Sequence, residues 1–275
     1  MNILNFFIVS LVTIPFLISA EFTNYSPQLK TAIHLVNQMD EVNEILSEVE
    51  ERIGTIRVEI KPQHTKFQAL WNPDLKTIQL NKNAHNSLSD NIISIVFELH
   101  NAKTTNQMSE VSKLAQAGLL SRLEYIETME RIEYINALGT KSIIEKGVAK
   151  GIFPQNTHWN IPDSFDEHFN LQKMSGHSAW FSTLYNQMTG DLANKPKEIH
   201  PKSRRNYSEM IIEYVALKEK LQANSYIVRQ DALRKVINTW ERIHTGYPHV
   251  LNYRQQELIS RLFGMELRSA GILTG

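Results

Sequence analysis

Residues 87–102 read SLSDNIISIVFELHNA, and this stretch decides the fold. Ile92, Ile93, Val96 and Phe97 recur at helical spacing. Ser87 or Ser89 can cap the start, and the helix is predicted to run to His100 or Asn101. So apolar a helix belongs in a core, with other elements over most of its surface. One residue departs from the pattern: Glu98. A carboxylate on a buried face must be paired, hydrogen-bonded or protonated, because burying it bare costs several kcal/mol. Asn101 lies three residues on, and Arg122 or Arg131 are candidate partners from the next helix. His100 points to another side of the helix, so it makes a poor chelate with Glu98.

Working outward, the segments before this helix change period. Pro27–Arg52 carries apolar residues in steps of three and four and is predicted to be one amphipathic helix. Ile56, Val58 and Ile60 then alternate with Arg57, Glu59 and Lys61, which is strand spacing. A second strand is expected at Phe67–Trp71, a turn at Asn72-Pro73-Asp74, and a third strand at Thr77–Leu80. After the buried helix, Thr104-Thr105-Asn106 reads as a break. A long helical pattern follows from Ser109 to Leu138, ended by Gly139, with a short helix at Lys141–Lys150. Residues 152–178 look least regular, and Ala179–Met188 reads as a helix. Three further helices are expected at Ser208–Gln222, Val228–His244 and Tyr253–Leu267. The predicted class is α+β, predominantly helical, with a small antiparallel sheet near the N-terminus packed on the buried helix. An α+β domain over 21–190, a polar linker over 191–205 and a helical C-terminal region over 206–275 are the expected units.

The order of these elements, strands, then an apolar helix carrying Phe97-Glu98-Leu99-His100-Asn101, then a Glu-rich helix, resembles the core of the zincin metallopeptidases over about residues 55–135. The active helix of that family carries His-Glu-x-x-His: two imidazoles one turn apart bind zinc, and the Glu between them serves as general base. Aligned on Glu98, the ligand positions hold Phe97 and Asn101, neither of which can replace an imidazole. Only Glu98 carries over. The resemblance therefore implies a zincin-like shell with a degenerate metal site, a pseudoenzyme. Glu124, Glu127, Glu130 and Glu133 stand where such folds often keep a third ligand, with Glu130 and Glu133 the preferred pair. Their spacing also fits a solvated helix face. Asn101, His100, Glu130 and Glu133 are the candidate binding residues beside Glu98.

A second group is His158, His168 and His177, with Asp163, Asp166 and Glu167 among them. Histidine with carboxylate is metal-ligand chemistry, and these three histidines are the fallback ligand set if zinc is bound. Otherwise no cofactor is expected. The chain shows no Gly-rich phosphate loop, nucleophile elbow or dinucleotide fingerprint.

Residues 3–18 are almost wholly apolar and end in Ser19-Ala20, the layout of a secretory signal peptide over 1–20. A retained anchor is the other reading, but the run falls short of the roughly 20 residues a spanning helix needs, and Pro15 interrupts it. Export to a periplasmic or secreted location is expected, with no membrane association after cleavage. The absence of cysteine removes disulfide scaffolds, Cys-ligated metal sites and thiol catalysis, and makes a bacterial source the easier reading. Lys plus Arg balance Asp plus Glu at 29 each, which argues against a general nucleic-acid binder. Two functions follow. The first is a non-catalytic, zincin-like binder of an unknown protein partner, with the C-terminal helices as its recognition surface. The second is a metal-dependent, peptidase-like hydrolase in which Glu98 is the base and the ligands are unconventional.

Overall fold

The computed structural model describes residues 20–62, 67–82, 87–190, 201–246 and 251–274. The predicted signal segment lies outside the described residues except for Ala20, as do residues 191–200 of the predicted linker.

The first amphipathic stretch is broken rather than continuous. A 3-10 turn at Pro27–Leu29 leads into α1 (Lys30–Val36), and α2 (Asp40–Ile53) starts after a kink at Asn37–Met39. Asn43 holds the kink by donating its side-chain amide to the Asn37 carbonyl at 2.9 Å. The strands β1 (Arg57–Lys61), β2 (Ala69–Asn72) and β3 (Thr77–Asn81) fall where the alternation placed them. Their sheet is mixed, not purely antiparallel. β2 folds back on β3 through the Asn72 turn, while β1 pairs with β3 in parallel, giving the order β1-β3-β2. β3 is therefore central, and Ile78 and Leu80 are fully buried. β2 is an edge strand, with one side left for other groups.

Two long helices organise the remainder. α3 (Leu88–Gln116) opens on a reciprocal cap: the Ser87 hydroxyl accepts from the Asp90 N–H, and Asp90 accepts from the Ser87 N–H. It does not break at Thr104-Thr105-Asn106. The Thr104 and Thr105 hydroxyls donate back to the carbonyls of His100 and Asn101, so their polarity is absorbed by the helix itself. The break comes at Gly118, whose φ of +71° turns the chain, and Ser121 caps α4 (Arg122–Ala149). α4 runs straight through Gly139. A side chain there would collide with His100, since a Cβ would lie 2.8 Å from the His100 ring. This glycine marks a close helix crossing, not a helix end.

Beyond α4, residues 152–178 are more regular than their composition suggested. They include α5 (Phe165–Ser175), joined at Gly176 to α6 (His177–Thr189). α7 (Pro201–Leu221), α8 (Tyr226–Gly246) and α9 (Tyr253–Ser269) complete the chain. The last part of the predicted linker, 201–205, thus belongs to the first turns of α7.

Burial divides into two apolar cores. The first joins α1, α2 and the sheet to the N-terminal half of α3 through Ile33, Leu46, Val58, Ile78, Val96 and Leu99. The second joins the C-terminal half of α3 and the first half of α4 to α6–α9, with Leu114, Met129, Phe181, Ile211 and Phe263 among its members. The C-terminal helices therefore share a core with the preceding region. The α3–α4 pair spans both cores, and its middle turns, which belong fully to neither, carry the polar residues described below. Among the described residues, no helix is long and apolar enough to cross a membrane.

Gly147 provides a test of this packing. A Cβ there would lie 2.2 Å from the ring of the buried Phe153. Gly147→Ala should destabilise the chain by about 1–3 kcal/mol, as overpacking a core does, and lower the midpoint of thermal unfolding followed by circular dichroism.

Candidate functional site

The middle of α3 turns Ser94, Phe97, Glu98 and Asn101 to one side, positions spaced by three and four. They form one wall of an open cavity of about 320 Å³. Its other walls are Phe67 to Leu70 at the start of β2, Glu133 and Ala137 of α4, Trp159, His168 and Gln172, and His177 and Trp180 of α6. Thus Phe97 and Asn101 both face the cavity one turn apart. Trp159 stands edge-on to Phe97 at 5.0 Å between ring centres, and Phe67 packs the same way against His177 and Trp180.

Glu98 is 5% exposed. Its Oε2 accepts the backbone N–H of Trp71 at 2.8 Å and the side-chain amide of Asn101 at 3.0 Å. The Asn101 side-chain oxygen Oδ1 accepts from the side-chain amide of Asn136 of α4 at 2.9 Å, and Asn136 also donates to the Thr104 hydroxyl. This relay fixes β2, α3 and α4 to one carboxylate. Among the described residues, Glu98 Oε1 has no hydrogen-bond partner. Burial raises the Glu98 pKa to about 7, although the bonds from Asn101 and Trp71 and the charge of His177 pull it down. Neither Arg122 nor Arg131 pairs with it. Arg131 instead bonds Ser208 and Glu209 and lies over the Phe165 ring.

The four glutamates in the first half of α4 have separate roles. Steps of three residues drift by about 60° each, so Glu124 and Glu133 emerge on opposite sides of the helix. Glu124 caps its own helix with Ser121, and Glu127 accepts from Ser208 of α7. Glu130 is fully buried, and its Oε1 accepts the Ser178 hydroxyl at 2.6 Å. His177 Nδ1 lies 3.2 Å from both Glu130 oxygens, while its Nε2 lies 3.4 Å from Glu133 Oε2. The row is therefore not a solvated face. Burial pushes Glu133 up to about 8, opposed by His177 and assisted by the charges of Glu130 and Glu98. For His177, burial disfavours the charged ring, but the bond to Glu130 and the charges of Glu133, Glu130 and Glu98 outweigh it and raise its pKa to about 9. The donor atoms of Glu130, Glu133 and His177 all lie within 4.8 Å of one another, a span that one metal ion can bridge.

Glu98, Asn101, Glu133, His168 and His177 are thus brought together, with Glu130 directly behind His177. His100 is not part of the site: its ring faces Gly139, and burial lowers its pKa to about 4. His158 is exposed and lines a separate depression with Lys141 and Glu145, so the three fallback histidines form no common ligand set. Sequence reading missed Asn136, Ser178, Phe67 and the contact of His177 with the α4 glutamates. The one available signal was Glu130 and Glu133, two carboxylates three residues apart among apolar residues of one helix.

The raised Glu98 pKa fixes a sign. The folded state holds this proton more tightly than the unfolded chain, so its contribution is complete below the ordinary glutamate value of 4.5 and is lost as pH rises through about 7. Denaturant unfolding at pH 5 and pH 8 should show wild type losing stability relative to Glu98→Gln, by an amount on the order of 3 kcal/mol at most. A constant difference between the two proteins would show that Glu98 titrates normally. No family model matches the chain, and no curated protein or solved structure shows significant similarity to it.

Proposed function

We propose that the cavity is a hydrolytic site acting on peptide-like amide bonds, with Glu98 as general base. One observation carries this reading: a buried carboxylate with one oxygen locked by two donors and the other unpartnered, lining an open cavity. A group whose pKa lies near 7 can both take and return a proton near neutrality. Glu98 removes a proton from an attacking water as its oxygen bonds to the substrate carbonyl carbon. It then passes that proton to the leaving amine as the C–N bond breaks. His177 supplies positive charge on the opposite wall, where the carbonyl oxygen becomes negative.

The edge strand favours an extended backbone as substrate. Trp71 turns its N–H away from β3 to reach Glu98, and strand alternation turns the N–H and C=O of Ala69 to the same side. Ala69 lines the cavity, so a peptide can pair with it beside the carboxylate. The presence of Phe97 and Asn101 on the cavity-facing turns agrees with a zincin-like frame whose helix has lost both imidazoles.

The second reading is a zincin-like pseudoenzyme that binds a protein partner. Exposed apolar side chains favour it: Tyr226 and Ile227 at the start of α8 and Tyr253 at the start of α9 are 68%, 79% and 81% exposed. Export is part of either reading. Phe22 is 2% exposed and its N–H donates to Asn37, so the chain is anchored just after the proposed cut.

Incubation with a peptide library and with cell-wall fragments, read by mass spectrometry, separates the two. The hydrolase reading expects cleavage that falls by about 100-fold or more in Glu98→Gln with the fold retained. Capture of a protein partner unaffected by Glu98→Gln, with no cleavage, supports the pseudoenzyme instead. The intact mass of the exported chain should correspond to a mature protein beginning at Glu21; a product retaining residues 1–20 would contradict signal cleavage.

A further inference from the structure

The geometry points to a divalent transition-metal site built by His177, Glu133 and Glu130, on α4 and α6 rather than on α3. The inference rests on the hydrolytic reading for its purpose, but its geometry stands independently. His177 Nε2 and Glu133 Oε2 are 3.4 Å apart, long for a hydrogen bond. It is also about the donor–donor edge of a tetrahedron around a cation with bonds of about 2.1 Å. The other imidazole nitrogen faces Glu130, itself held by the Ser178 hydroxyl. A carboxylate behind a ligating imidazole sets the orientation of the ring and strengthens it as a donor.

A second observation aims at the same place. Glu98, nine-tenths buried, presents an unpartnered oxygen in the cavity that Glu133 and His177 line. A cation bound between the latter two keeps open positions toward the cavity, where water and a substrate carbonyl can enter. One nitrogen with carboxylate oxygens suits zinc or manganese and disfavours calcium, which takes an all-oxygen shell. The ion would replace the positive charge that His177 otherwise carries, leaving Glu98 as base. It would take over from the His177 proton the task of offsetting the carboxylates packed around that ring.

The test is titration of the chelator-treated full chain with Zn²⁺, Mn²⁺ and Ca²⁺ by calorimetry, with the bound ion counted by elemental analysis. One Zn²⁺ per chain is expected, with weaker Mn²⁺ and no Ca²⁺ binding. Glu133→Gln and His177→Gln should each weaken Zn²⁺ at least tenfold, while Glu98→Gln keeps full stoichiometry. Melting curves in chelator establish that each variant is folded. Absence of stoichiometric Zn²⁺, or unchanged affinity in folded His177→Gln, overturns the site. Glu98-dependent cleavage that persists in chelator would leave the hydrolase standing and sink the metal. Stoichiometric zinc without any cleavage would do the reverse.

Discussion

The Glu98 carboxylate joins the sheet to the helices. Its Oε2 accepts from the backbone of β2 and from Asn101 of α3, and Asn101 passes the connection to Asn136 of α4. A polar link through an apolar interior is costly unless every member is satisfied. Here each amide is used, and one oxygen of the acid is left over. That oxygen lies where the two apolar cores leave a gap between the middle turns of α3 and α4. The open wall leaves that oxygen reachable from the cavity, which the proposed role of Glu98 as a base needs.

The same gap explains why several titratable groups share one cavity. α4 presents Glu130 and Glu133 toward α6, and α6 begins with His177 and Ser178. Glu130 faces the start of this helix, where unpaired backbone N–H groups favour negative charge. His177 is clasped from both sides by carboxylates, with aromatic rings of Phe67, Trp180 and Phe181 around it. The rings restrict water and strengthen each charge interaction. Glu98 and His177 hold their protons for opposite reasons: burial favours the neutral acid, while neighbouring carboxylates favour the charged imidazole.

Much of the fold was legible because it depends on local periodicity. The alternation of Ile56, Val58 and Ile60 and the turn at Asn72-Pro73-Asp74 located the strands, and the apolar run at 92–99 located the buried helix. Pairing direction was not legible, since a short strand carries the same alternation whether its partner runs parallel or antiparallel. Helix ends were misread where a residue's usual role was altered by its neighbours. Thr104 and Thr105 satisfy their hydroxyls on the preceding turn, and Gly139 makes room for His100. Glu98 stood out as a charge in an apolar run, and Asn101 as its partner followed from helical spacing.

His177 could not be attached to the α4 glutamates in the same way. It lies 47 residues beyond Glu130, and only the reversal of the chain through α5 and Gly176 brings the two together. Neither spacing nor composition records such a contact. On α3, where a zincin-like pattern would place its ligands, Phe97 and Asn101 offer no imidazole. The same cavity, approached from α4 and α6, holds an imidazole and two carboxylates within reach of one cation. Catalytic capacity depends on which groups converge on the reacting atoms, not on which helix supplies them. Phe97 and Asn101 therefore close one way of holding a metal, on α3. They leave the one proposed on α4 and α6, which opens on the same cavity as Glu98 and Ala69.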